Sequence, residues 1–187
     1  MKDLLYYAQL ALESIVAVFG VRPYEQPEYA VLETLARGAE IRYYAPRVAA
    51  EASAVGEQAS SEAFNALFRY ISGAEKIAMT APVATEKDAG GVRMQFYLPA
   101  RYSAASAPKP ADPRIRIIAL PEERVAVMRF SGRASAERVE HQTATLVEAL
   151  KQAGWQPTGS PVLLGYDPPF TLPFLRRNEV AVSVVPR

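Results

Sequence analysis

The sequence has no cysteine, one histidine and almost no net charge, and each shortage excludes a class of function. Without cysteine the chain can form no disulfide, iron–sulfur cluster, thiolate zinc site or cysteine nucleophile, and its redox compartment stays open. With His141 as the single histidine, a histidine-rich metal centre is excluded, and a Ser-His-Asp triad would have only that base. The 21 Lys and Arg balance 20 Asp and Glu, so we expect no nucleic-acid partner.

What the sequence does contain is enough apolar material for one core. The chain has 187 residues, of which 50% are hydrophobic and 22% charged. This composition is typical of a folded protein rather than a disordered one, and the length predicts a single main domain.

The longest apolar stretch, Leu4–Phe19, contains Gln9 and Glu13 and is shorter than the roughly 20 residues of a membrane-spanning helix. Its polar residues share one stripe, which predicts an N-terminal amphipathic helix over residues 1–20. This helix could pack on the domain, contact a membrane surface or a partner through residues 3–19, or be a cleaved export signal. A cytoplasmic protein is the main expectation, with peripheral membrane association and export as alternatives.

Residues 21–187 are predicted to form one domain with two similar halves, at about 29–98 and 114–185. Each half has the order strand, helix, strand, strand. The helices are expected at Ser60–Ile71, capped by Ser60 or Ser61, and at Ser135–Lys151, capped by Ser135. The strands are expected at Tyr29–Leu35, Ala39–Tyr44, Arg47–Ala52, Ile77–Thr85, Val92–Leu98, Arg114–Leu120, Arg124–Val127, Pro161–Tyr166 and Glu179–Val185.

The beginning of Arg47–Ala50 also matches that of Arg124–Val127, which suggests corresponding strands in an internal repeat. Neither half can bury its sheet face alone. We therefore expect joined sheet edges, both helices on the sheet, and a curved α+β structure that closes toward a barrel.

Four segments carry a resemblance to a known family: Lys76–Val83, Arg124–Gly132, Gly165–Pro169 and Arg176–Val180. Together they resemble bacterial-type members of the SOUL haem-binding protein family, over about Tyr24–Pro186. The resemblance implies a distorted antiparallel β-barrel of two pseudo-symmetric halves with two packed helices. It also implies a haem groove along the first helix and the loop after Gly165–Pro169. The fold is similar, too, to that of effector-binding domains that hold small hydrophobic molecules between their halves.

The resemblance directs attention to apolar residues on those two elements and to one arginine. The candidates for the haem pocket are Phe64, Phe68, Met79, Phe170, Leu172, Phe174 and Arg176. Propionate partners could be Arg47 and Arg69, and iron ligands could be Tyr44, Tyr70 or Met79. His141 lies on the polar stripe of the second helix, so we expect it to be exposed and not to bind iron.

The function expected from this reading is non-catalytic binding of haem or a related tetrapyrrole, with haem as ligand rather than catalytic cofactor. The alternative is a pocket for another hydrophobic small molecule, or a protein-interaction module that does not bind haem. An enzyme is the less favoured reading, because Glu62, Glu75, Tyr70 and Tyr166 show no spacing that identifies a catalytic site. No catalytic residue, metal site or oligomeric state is assigned from the sequence.

Overall fold

The computed structural model describes residues 18–87 and 90–187, so most of the predicted N-terminal helix lies outside the described residues. Within them are two α-helices, α1 (Ala59–Ile71) and α2 (Ala136–Gln152). The strands are β1 (Tyr29–Thr34), β2 (Glu40–Tyr44), β3 (Arg47–Ala54), β4 (Val83–Lys87), β5 (Val92–Tyr97), β6 (Ile115–Leu120), β7 (Glu123–Phe130), β8 (Trp155–Pro157), β9 (Val162–Gly165) and β10 (Asn178–Pro186). None of the described helices is long and apolar enough to span a membrane.

The strands form one antiparallel sheet that curls into a half-barrel, which confirms the α+β prediction. Its order is β1-β2-β7-β10-β9-β4-β5-β3-β6, with β8 paired to β10. Helix α1 packs on β3 and β5, and α2 packs on β7, β8 and β10. Both helices cover the same face of the sheet, so β4 and β9 run between them. The other face carries no α-helix among residues 18–87 and 90–187, and we call it the helix-free face.

Helix α1 lies close to the sheet because its buried positions are mostly small. These positions are Ala59, Ala63, Ala66, Leu67 and Ile71. The predicted serine N-cap is wrong, because the helix follows Gln58 without a side-chain cap and the two serines lie inside it. The cap predicted for α2 is present: Ser135 Oγ accepts a hydrogen bond from the Arg138 amide at 3.4 Å.

The segment before β4 is not strand, although its apolar pattern predicts one from Ile77. Ile77 donates its amide to the Ile71 carbonyl at 2.9 Å, and Ala81 donates to the Glu25 carbonyl at 2.9 Å. These backbone groups are therefore satisfied outside the sheet, and regular pairing begins only at Val83.

Residues 29–98 contain three strands, a helix and two strands, whereas residues 114–185 contain two strands, a helix and three strands, and the sequence match between β3 and β7 is out of register. Val48 packs in the cluster under α1, whereas Val125 belongs to the cluster on the helix-free face. Because side chains alternate between faces, aligning the two valines would put opposite faces together. Superposition of the halves stays a prediction, and it requires a different alignment from Arg47–Ala50 with Arg124–Val127.

Candidate ligand-binding site

A buried ionic cluster fixes the junction between β2, β9 and β10. The Glu179 side chain has no exposed surface, and its carboxylate accepts hydrogen bonds from Arg42 at 2.8 and 3.2 Å. Arg177 donates to the same carboxylate at 3.0 and 2.7 Å, and the Tyr166 hydroxyl donates at 2.9 Å. The two motifs at Gly165–Pro169 and Arg176–Val180 thus meet in one network.

The electrostatics of this cluster favour charged Glu179. Burial opposes the carboxylate, but the hydrogen bonds and charges of Arg42 and Arg177 outweigh burial and hold the pKa of Glu179 below its ordinary value. Burial and the nearby Glu179 charge raise the pKa of Tyr166, which therefore stays a neutral donor. These hydrogen bonds to a buried charge make the cluster a structural support at this end of the sheet.

Asp167 and Arg176 hold the loop that joins β9 to β10. Asp167 Oδ2 accepts from the Arg177 amide at 2.6 Å and from Arg22 at 2.8 and 3.1 Å. Arg176 donates Nε to the Thr171 carbonyl at 2.8 Å and Nη2 to the Pro169 carbonyl. Both bonds lie within the loop that Arg176 follows, and a contact of Arg176 with a ligand stays a prediction.

On the helix face of the sheet, β4 and β9 lie between the strands on which α1 and α2 pack, and we call this strip the groove. Cross-strand pairing places Phe96, Val83, Gly165 and Asn178 side by side on β5, β4, β9 and β10. Phe96 is buried under α1, so half-buried Val83 and Gly165 form the floor. Three inter-strand spacings separate Phe96 from Asn178, which is about 14 Å. In the next row, half-buried Thr85 and Leu163 continue the floor.

The first wall of the groove is the flank of α1 that faces β5. Phe64 meets Phe96 edge-on at 5.3 Å between ring centroids. Phe64 and Phe68 stack at 6.1 Å with planes 10° apart. The two rings are nevertheless 37% and 49% exposed. They are a preformed aromatic surface at the margin of the core.

The opposite wall is the loop Phe170–Leu175, which is fastened near the start of α2. The Gly132 amide donates to the Pro173 carbonyl, and Asn178 Nδ2 donates to the Gly132 carbonyl, both at 2.9 Å. Thr171 is buried, whereas its apolar neighbours are outside the core. The exposed fractions are 52% for Phe170, 37% for Leu172 and 71% for Phe174.

Two open cavities, of about 190 and 450 Å³, lie on the helix-free face and at the adjoining strand ends. Both are bounded by Pro27, Arg47, Tyr97 and Leu120, so these residues form the partition between them. Arg47 on β3 bonds Glu123 on β7 at 2.5 Å, although four strands lie between β3 and β7 in the sheet. The sheet therefore curls far enough to bring its distant strands into contact around these cavities.

Comparison with known proteins identifies the family. The family model for the SOUL heme-binding protein matches residues 24–183, which is most of the chain. The chain belongs to the SOUL haem-binding protein family. A search of curated proteins finds no sequence match.

Solved structures share the SOUL-family chain's fold at low sequence identity. The C-terminal domain of EcmrR has a TM-score of 0.62 and 11% identity, covering 80% of this chain and 98% of that one. A hydrolase from Listeria innocua has a TM-score of 0.58 and 13% identity, covering 92% and 98%. An uncharacterized conserved protein from Listeria innocua has a TM-score of 0.56 and 12% identity, covering 87% and 94%. At these identities the likeness concerns the fold alone.

The structure separates the sequence-predicted residues of this SOUL-family chain into two groups. Phe64 and Phe68 line one side of the groove, and the Phe170–Leu175 loop borders the other. Met79 packs, partly buried, against the core cluster under α1. Arg47 and Tyr44, by contrast, border the cavity on the helix-free face. Neither can contact a ligand in the groove, because the sheet lies between.

The remaining candidates have positions that restrict their roles. The Tyr70 hydroxyl donates a hydrogen bond to the Pro108 carbonyl at 2.7 Å, so this hydroxyl already has a partner within the protein. His141 is exposed on α2, and Arg69 is exposed on α1. Within residues 18–87 and 90–187 there is no group of three or more His, Asp or Glu side chains that could hold a metal ion.

Sequence reasoning missed the floor of the groove and the residues of the cavities. Val83, Thr85, Leu163 and Gly165 show only ordinary strand patterns, and their common role depends on which strands become neighbours. Tyr97 likewise alternates normally in β5, and its contact with Arg47 follows from the pairing of β5 with β3, which places Tyr97 opposite Ala49.

Proposed function

We propose that this SOUL-family protein binds haem or a related tetrapyrrole, without catalysis, in the groove between α1 and the Phe170–Leu175 loop. The observation that carries the proposal is the exposed, stacked Phe64–Phe68 pair beside a floor that has no side chain at Gly165. A flat apolar macrocycle can cover both phenyl rings and lie close to the strands at that point. Family membership supports the same ligand class.

Apolar contact, rather than an iron–protein bond, is the binding mode we propose. The floor residues Val83, Thr85 and Leu163 offer no imidazole, thiolate or phenolate to iron. The same side chains supply no general acid or base, in keeping with a binding role. Burying apolar ligand surface against phenyl rings then provides most of the affinity.

A titration of the purified full chain with haem, followed by visible absorption, tests the proposal. We expect a saturable shift at one haem per chain. Iron-free protoporphyrin, followed by fluorescence, is expected to bind with an affinity within about tenfold of haem, since only an iron–protein bond would separate the two by several kcal/mol. Absence of saturable binding of either molecule would refute the proposed function.

Replacement of the single histidine is expected to change neither the haem affinity nor the absorption spectrum of the complex. His141 is exposed on α2. His141→Ala should therefore match the unchanged protein in the same titration. Loss of the bound-haem band in this variant would make His141 an iron ligand and contradict the apolar binding mode.

A further inference from the structure

We propose a second ligand site on the helix-free face, where the two cavities take a small molecule with an aromatic body and a single anionic group. The larger cavity, at about 450 Å³, lies within the range of about 300–1,000 Å³ typical of small-molecule pockets. Leu98 and Tyr102 of the larger cavity also pack in the cluster under α1, but Phe64 and Phe68 line neither cavity. The two sites therefore share no proposed contact residue and can be tested separately.

Arg47 is the residue that indicates an anion. Its Nη2 bonds Glu123, but its Nε and Nη1 are buried and have no hydrogen-bond acceptor among the described residues. Buried donors on a charged group are costly when left unpaired, and an anionic acceptor stabilises them. A carboxylate or sulfonate at the partition between the cavities would supply that acceptor.

The aromatic part of the ligand is indicated by the tyrosines around this arginine. The Arg47 guanidinium lies 4.4 Å from the centroid of Tyr44 and 5.4 Å from that of Tyr97. A cationic ligand would meet a like charge at these rings, because Arg47 already occupies them. An anion is attracted to the same point, with its apolar body against Tyr97, Leu98 and Tyr102 in the larger cavity.

The rim of the larger cavity limits the ligand to one anionic group. Glu25 and Glu28 both border this cavity, and Arg47 is its one basic lining residue among those described. A second carboxylate on the ligand would face these acids and be repelled. The expected occupant is thus an aromatic monoanion and differs from haem, which carries two propionates.

Two fluorescent probes of nearly equal shape test this site. Anilinonaphthalene sulfonate has an aromatic body and one sulfonate, and N-phenylnaphthylamine has the same body without the charge. We expect the full chain to bind the sulfonate more tightly. Arg47→Met should weaken sulfonate binding by about tenfold or more and leave the neutral probe unchanged. Arg114→Gln, which removes an exposed arginine outside both cavities, is the matched control and should change neither affinity.

Two further variants separate this site from the groove and from a folding defect. Leu120→Trp fills the partition without changing any charge, and it should weaken binding of both probes. Replacing Phe64 and Phe68 by serine should leave the preference for the sulfonate intact. The proposal is overturned if Arg47→Met weakens both probes equally or neither, or if Leu120→Trp leaves sulfonate binding unchanged.

Discussion

Glu179→Gln is expected to lower the free energy of unfolding by about 3–5 kcal/mol, the usual cost of removing one partner from a buried ion pair. The Glu179 side chain is fully buried, and those of Arg42 and Arg177 are 4% and 13% exposed. The variant leaves two guanidinium groups facing a neutral amide in a region that water hardly reaches. Chemical denaturation at neutral pH measures the difference directly.

The same substitution should alter how stability depends on pH. Because the pKa of Glu179 is lower in the folded protein than its ordinary value of 4.5, the charged group stabilises the fold fully above that pH. This stabilisation is lost as the pH falls through the lower, folded-state pKa. The stability difference between the unchanged protein and Glu179→Gln should therefore be constant at neutral pH and shrink in acid.

Glu148→Gln provides the matched control for this prediction. Glu148 pairs with Lys151 at 3.5 Å on the surface of α2, and its side chain is 56% exposed. Its replacement should change stability by no more than about 0.5 kcal/mol. Equal effects at the two positions would show that the buried cluster contributes no more than a surface ion pair.

The elements that sequence alone predicts well are those whose signals are local. The alternation of Val92, Met94 and Phe96 gives β5 almost to the residue, and Ser135 gives the start of α2. The region before β4 is predicted wrongly, because its backbone amides bond to loop and helix carbonyls instead of to a neighbouring strand. The local pattern of apolar residues indicates which side chains are buried, but it does not indicate which backbone groups will pair.

The phenylalanines of α1 illustrate the same limit at the candidate site. Their spacing with Leu67 and Ile71 predicts one continuous core face, yet only Leu67 and Ile71 are fully buried. The alanines at positions 63 and 66 occupy the centre of the interface instead, because they let the helix approach the sheet. Phe64 and Phe68 are displaced to its edge, where they become available to a ligand.

The position of Arg47 depends on a contact with a residue that is distant in sequence. It is separated from Glu123 by 76 residues, and the two meet only because the sheet curls. No periodicity or motif encodes this contact. The resemblance to the family predicts a haem groove along the first helix, but it could not place Arg47 on the opposite face of the sheet.

Replacing both Phe64 and Phe68 by serine is expected to weaken haem binding by about 30- to 800-fold. A bound macrocycle would cover much of the exposed area of the two rings, which contributes about 2–4 kcal/mol at about 25 cal/mol per Å². The fold should survive, because the residues at the centre of the helix interface are unchanged. Absorption titration and thermal unfolding of the same samples measure the two quantities.

Two further variants test whether the effect is specific to the groove: one alters the opposite wall, and one alters an unrelated surface residue. Leu172→Ser with Phe174→Ser should also weaken haem binding, because these exposed residues border the groove from the loop. Val55→Ser removes an apolar side chain that is 75% exposed at the end of β3, and it should leave the affinity unchanged. A folded Phe64→Ser, Phe68→Ser protein with unaltered haem affinity would exclude α1 from the site, because no tetrapyrrole in this groove could avoid both rings.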